Sequence, residues 1–248
     1  MALIWLFKRD RITRAEWLLG IGLGSSQALI LFCETSGVSK TSATNAGLII
    51  SLAIIFTPIL ESIAAKNWLP RSFFVATVTA VVGVALLVSD QGFAAPGLGD
   101  WFMLAAAIIR AIHVTAMGRL TSGKSYSSVS ITLLQSLTCG FIYLAFSGGG
   151  VAKALREFST GLWLDLLFLS LLCGAFAFLA TMWAIRRTSP SRASLLLGTE
   201  PVWAVIVGIS LGGESLAVLG IIGALLIIGA SFVGQRIETR HRLVSINT

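Results

Sequence analysis

Charge is what this sequence has least of. Asp, Glu, Lys and Arg make up 12% of its 248 residues, about half the share found in an ordinary soluble domain. A chain this poor in charge cannot coat itself against water, which excludes a soluble globular protein and leaves lipid as the solvent for most of it. Histidine is scarce too, with only His113 and His241 present. The three cysteines, Cys33, Cys139 and Cys173, lie apart, each inside an apolar run. Neither a metal-ligand spacing nor a disulfide framework can be assembled from them. No HExxH, GxSxG or P-loop pattern occurs, so no catalytic residue, metal ligand or cofactor is nominated. A membrane-embedded enzyme would need clustered His, acidic or Ser-Lys groups near a membrane face. That class, like a non-transporting assembly subunit, finds no motif here.

What the chain does have is long apolar runs. Eight stand out: 17–35, 46–65, 72–89, 101–117, 130–146, 162–185, 193–211 and 216–233. Lengths of about 17–25 residues match a bilayer core of about 30 Å at 1.5 Å rise per residue. The connections hold breakers and caps, among them Asn67 and Pro70, Gly148 to Gly150, and Thr188-Ser189-Pro190-Ser191. The longest connection, 147–161, has the pattern of a short amphipathic turn over 152–158. The expected fold is all-α: a polytopic bundle of eight full spans preceded by an apolar stub, Met1 to Phe7. Seven residues cannot cross a bilayer, and Lys8, Arg9 and Arg11 follow the apolar part where a signal peptide would have them precede it. The stub reads as the last turns of a helix.

The net charge of +7 would suggest nucleic acid if Lys and Arg shared one face of a folded domain. They sit instead in short loops between apolar runs, so nucleic acid is not an expected partner. Alternating sides along eight helices puts 14 Lys and Arg on one side and 3 (Lys40, Lys153, Arg156) on the other, with Arg110 inside a helix. Positive residues favour the cytoplasmic side. The expectation is a multi-pass protein of the cytoplasmic membrane with both termini in the cytoplasm.

The chain also repeats itself at an offset of 147 residues. Thr41-Ser42-Ala43-Thr44-Asn45-Ala46-Gly47-Leu48 matches Thr188-Ser189-Pro190-Ser191-Arg192-Ala193-Ser194-Leu195, with four identities and Thr44 opposite Ser191. The charge count puts the two copies on opposite sides, which makes the repeats inverted. Two similar halves in opposite orientation can expose a midplane site to either side of a membrane in turn.

The stretch TSPSRASLLLGTEPVW at 188–203, the Gly213-Glu214-Ser215-Leu216 before the last run, Gly99-Asp100 entering an Ala-rich helix, and Gln135 together resemble the EamA family of the drug/metabolite transporter superfamily. The resemblance covers essentially the whole chain. It implies ten helices in two inverted five-helix halves with both termini cytoplasmic, and the transport of a small molecule. On that pattern residues 1–93 are the remainder of a first half, 99–234 a second half, and 235–248 a cytoplasmic tail. The counterpart of the family's first helix and most of its second is not in the sequence. The activity implied is secondary transport by alternating access, most readily export of an amino acid or related metabolite. The alternative is a non-transporting fragment, or a membrane-embedded enzyme or assembly subunit.

Candidate site residues follow from charge at depth. Arg110 lies seven residues before Met117, about 10 Å from the inner edge of its helix. Members of the family often carry Trp there, so Arg110 is a departure. Unless paired or hydrated, an Arg at that depth costs at least about 2.5–3.5 kcal/mol, and intramembrane charges mark substrate or proton pathways by default. Glu200 lies seven residues after Ala193, at the same expected depth, and precedes Pro201, which removes a backbone hydrogen bond and kinks a helix. The two are expected to share a water-accessible cavity, with proton carriage and pairing with Arg110 both open to Glu200. His113 falls on Arg110's face; proton carriage and simple packing are both open to it. Gln27 shares a helical stripe with Gly20, Gly24, Leu31 and Glu34 and is a candidate cavity lining. Trp203 follows Glu200 on one face, as packing or as a substrate contact. Glu61, near an inner helix end, is expected in water. The residue types leave both substrate binding and proton coupling open.

The charge count predicts where the tail lies. A reporter fused near Arg240 should read as cytoplasmic and cysteine labels in 90–100 as external; an external reading at Arg240 would overturn the orientation.

Overall fold

The computed structural model describes residues 12–41, 43–88, 97–147, 150–199, 202–203, 206 and 218–246. Every regular element among them is a helix: α1 (Arg14–Val38), α2 (Ala43–Ser51), α3 (Ala53–Ala65), α4 (Arg71–Val88), α5 (Leu98–Thr121), α6 (Ser128–Ser147), α7 (Gly150–Glu157), α8 (Thr160–Phe168), α9 (Ala177–Arg187), α10 (Pro190–Leu197) and α11 (Val218–Ile246). Leu169–Phe176, between α8 and α9, is π-helical. In hydrocarbon every backbone N–H and C=O needs an internal partner, and a helix supplies one within its own segment. The same pressure acts on hydroxyls. Thr57 donates to the Ala53 carbonyl, Thr121 to Met117, and Thr132 to Ser128, each one turn back.

Helix starts are capped by side chains. At α1 the Thr13 hydroxyl accepts from the Glu16 N–H, and the Glu16 carboxylate accepts from the Thr13 N–H at 2.8 Å. This Thr-x-x-Glu box satisfies two donors that would otherwise be orphaned. Ser159 caps α8 and Ser189 caps α10, where Pro190 occupies the first turn without losing a needed N–H. The amphipathic turn expected over 152–158 is the helix α7.

Six stretches are long and apolar enough to cross a membrane: Arg14–Val38, Asn45–Ala65, Leu98–Thr121, Ser128–Ser147, Thr160–Arg187 and Val218–His241. The run at 72–89 forms α4, whose apolar part Arg71–Leu87 is shorter. The run at 193–211 starts as α10, and most of its remainder lies outside the described residues. Six candidate spans therefore lie among the described residues, where the sequence pattern predicts eight over the whole chain.

The chain forms two compact units, Met1–Leu29 with Met117–Arg187, and Ile30–Ala116 with Thr188–Thr248. In the first unit, α1 lies against α6 through Gly20 and Gly24. A Cβ on Gly20 would stand 2.3 Å from the Leu134 Cβ, and one on Gly24 2.5 Å from the Thr138 Cβ. Small residues let helices approach where lipid offers no hydrophobic drive for association. The Thr160–Arg187 helix also belongs to this unit, and none of its most apolar stretch is buried.

The second unit is built on α4 against α11. There Gly83 and Gly223 face one another, each placing its would-be Cβ under 3 Å from the other's carbonyl oxygen. Val84, Leu87, Val202 and Ile227 form one buried cluster, and Ile54, Phe73 and Leu195 another. The end of α1 runs beside the start of α5. Gly99 meets the Lys40 backbone and Gly37 meets Met103, so the two helices are antiparallel.

Gly223→Leu should destabilise the protein by about 1–3 kcal/mol through overpacking. Gly22→Leu should be near neutral, because nothing lies within 4 Å of a Cβ there. Thermal unfolding midpoints in detergent test the pair; equal midpoints would mean that the α4–α11 contact is not close-packed.

Candidate functional site

The candidate site lies in the second unit beside a distorted helix. The apolar stretch Asn45–Ala65 keeps helical backbone at Leu52, but there the N–H bonds the Ile49 carbonyl three residues back, a one-residue break in the regular α-pattern between α2 and α3. Pro58 sits inside α3. It can donate no hydrogen bond, and its ring crowds the carbonyl of residue 54, which loosens the turn before it. The hydroxyls flanking the break are satisfied locally: Ser51 donates to the Leu48 carbonyl at 2.6 Å and Thr57 to Ala53 at 2.7 Å. The break borders a cavity of about 80 Å³ whose wall includes Ser51, Ala53, Thr57, Val84, Arg110 and Ser194.

Arg110 reaches this wall from α5, and its guanidinium pairs with the Glu34 carboxylate of α1. The two side chains are 34% and 19% exposed, so both ions are partly withdrawn from solvent. Helix side chains tilt toward their own N-terminus. On antiparallel helices that tilt points Arg110 and Glu34 toward each other along the helix axes. Two ions whose Cα atoms stand at different heights can therefore meet.

The other sequence candidates are placed as follows. Glu200, a candidate partner of Arg110, lies outside the described residues. His113 is buried at 4% exposure, and it is Val114 that shares the cavity wall with Arg110. Gln27 is buried within the first unit. Trp203 is 63% exposed. The residue that sequence reasoning missed as a partner is Glu34. Its place on the stripe with Gln27 gives no sign of the pairing, because matching charges by depth treats each side chain as level with its Cα.

Both copies of the short repeat begin a helix, and each beginning is met by a carboxylate from another helix. At the first, the Thr41 hydroxyl donates to Asp100 at 2.6 Å, while Asp100 also accepts from the Gly97 N–H. At the second, Glu61 accepts from the Ser191 N–H at 2.8 Å and from the Ser191 hydroxyl. A carboxylate offsets the positive end of a helix dipole. Glu61, expected in water, is thus bound to a helix N-terminus. Arg192, next in the chain, pairs with Glu238, whose side chain is 1% exposed.

Comparison with known proteins adds identity to this geometry. The model of the EamA-like transporter family matches residues 1–89 and 97–233. An uncharacterized transporter of Archaeoglobus fulgidus is 26% identical over 220 residues, which is 86% of this chain and 67% of the relative. An uncharacterized transporter of Synechocystis is 33% identical over 56% of this chain and 42% of its own length. A probable terminal-alkyne amino-acid exporter of Streptantibioticus cattleyicolor is 23% identical over 90% of this chain and 73% of its own length. A crystal structure at 17% identity superposes with a TM-score of 0.73, covering 93% of this chain and 79% of that one, and so shares the fold.

Arg110→Met and Glu34→Met should each destabilise the protein by about 1–3 kcal/mol, because each leaves the other ion uncompensated. The double variant should recover most of that loss. Unfolding midpoints of the purified single and double variants test the coupling, and strictly additive losses would show that the two ions act independently.

Proposed function

The chain belongs to the EamA-like transporter family, and from that premise we propose that it is a secondary transporter that exports a small zwitterion of the amino-acid class. The observation that carries this reading is the Arg110–Glu34 pair beside a cavity. A zwitterion offers a carboxylate to Arg110 and an ammonium to Glu34, so it can replace each ion's partner without leaving a charge bare. That exchange avoids the desolvation cost of opening an ion pair in a weakly polar site. A cavity of about 80 Å³ holds only two or three waters at about 30 Å³ each. Binding therefore requires the wall to widen, and the break at Leu52 is the element able to yield.

In the same reading the chain works in the cytoplasmic membrane with both termini inside. Its two halves, 1–93 and 99–234, are inverted repeats counting eight spans, and they alternate access to a midplane site. The short repeat at 41–48 and 188–195 and the asymmetry of Lys and Arg support this arrangement. The amino-acid class draws further support from the Streptantibioticus cattleyicolor relative. Glu200 and His113 are the groups in this reading that would handle a proton.

Counterflow in proteoliposomes tests the proposal. Free amino acids should exchange, whereas the same compounds as carboxamides or N-acetylated forms should not. Glu34→Gln and Arg110→Gln should each lower exchange by at least about tenfold, equivalent to one lost charge-assisted contact of about 1.4–3 kcal/mol. Equal exchange of amide and free acid, at equal protein in the vesicles, would remove the amino-acid reading.

A further inference from the structure

The largest described cavity belongs to the first unit and takes no part in the reading above. It is an open groove of about 820 Å³, within the size range of small-molecule sites. One wall is a single stripe of the Thr160–Arg187 helix: Phe176, Ala180, Trp183 and Arg187, spaced by about one helical turn each. Along the stripe the chemistry changes from apolar to cationic, with Trp183 at the boundary. Phe176 is 70% and Trp183 53% exposed. The facing wall is polar, made of Thr13, Glu16 and the run Ser125 to Ser128.

The cationic end is fixed in place. The Arg186 guanidinium donates to the carbonyls of Tyr126 and Lys124 at 2.6 and 2.7 Å and to the Ser128 hydroxyl at 2.7 Å. Arg187 lies over the Trp183 ring, 4.7 Å from its centre, and the Lys124 ammonium lies over Tyr126 at 5.5 Å. The one carboxylate on the wall, Glu16, is already held by the Thr13 N–H and hydroxyl and by the Ser127 N–H at 2.7 Å. Two cations, Arg186 and Arg187, therefore line the groove against one carboxylate that is already satisfied.

We propose that this groove binds an anionic phospholipid, with its phosphodiester head at Arg186 and Arg187 and one acyl chain along Phe176, Ala180 and Trp183. An amphiphile is the occupant that matches the order of the stripe. From Phe176 to Arg187 the helix rises about 16 Å, a length that spans a headgroup and part of an acyl chain. Charge selects the class of lipid, since each juxtamembrane cation contributes about 1 kcal/mol toward an anionic headgroup. Ser125 is exposed at the groove wall, and its hydroxyl suits a polyol headgroup such as glycerol. Aromatic rings at the boundary are favoured where one end of a site is apolar and the other wet.

Native mass spectrometry of the purified full chain tests this, with dioleoyl phosphatidylglycerol and dioleoyl phosphatidylcholine as probes. Wild type should retain the anionic lipid at least about fivefold better, the factor that corresponds to about 1 kcal/mol. Arg186→Ala with Arg187→Ala should bring retention down to the phosphatidylcholine level. Arg119→Ala removes a cation that does not line the groove and should change nothing. Ser125→Asp, which adds a negative charge at an exposed wall position, should also expel the lipid, and it keeps the test informative if the double variant folds poorly. Glycerol 3-phosphate, the head without the tail, should not displace the lipid at millimolar concentration. Equal retention of the two lipids, an equal loss with Arg119→Ala, unchanged retention in Ser125→Asp, or displacement by glycerol 3-phosphate would overturn the proposal.

Discussion

Hydrocarbon offers no partner to a polar group, and most of the structure follows from that constraint. Backbone groups close on themselves as helices, and serine and threonine hydroxyls donate to the carbonyl one turn back. Helix starts draw carboxylates from neighbours, as Asp100 does at Thr41 and Glu61 at Ser191. Each of these contacts removes an unpaired donor or acceptor from a medium in which leaving one costs several kcal/mol.

The same solvent explains the glycines. Helix association in lipid gains nothing from water release and depends on close packing. The approaches of Gly20 and Gly24 to α6, and of Gly83 to Gly223, are therefore positions that a side chain would fill at once. Gly22 and Gly229, with nothing near a would-be Cβ, show that glycine content by itself does not mark a contact.

Against this background the Arg110–Glu34 pair and the break at Leu52 are the exceptions that mark a site. An ion pair between antiparallel helices keeps two charges at membrane depth without a bare ion, and its arginine lines a cavity bordered by the helix distorted at Leu52. Such a pair is weak evidence for stability, because desolvation offsets much of the Coulomb attraction. In the proposed function its value is that a zwitterionic guest would exchange with it.

The sequence by itself determined the class of protein, its solvent, the positions of the helices and the family. Each of these depends on composition and on patterns within about twenty residues, which local physics reads directly. The amphipathic turn after 147, the capping signals at Ser189 and the unusual charge of Arg110 were legible for the same reason. Only the tertiary structure decided which carboxylate Arg110 meets. Equal distance from a membrane edge suggests Glu200, which lies outside the described residues; among the described residues Arg110 pairs with Glu34, 76 positions away in the chain. Likewise Glu61 reads as a solvated helix end until Ser191, 130 positions on, is brought to it. A pairing of this kind depends on which helices are neighbours, on their relative direction, and on the reach of long side chains along the helix axis. None of these is encoded in the periodicity of a single segment.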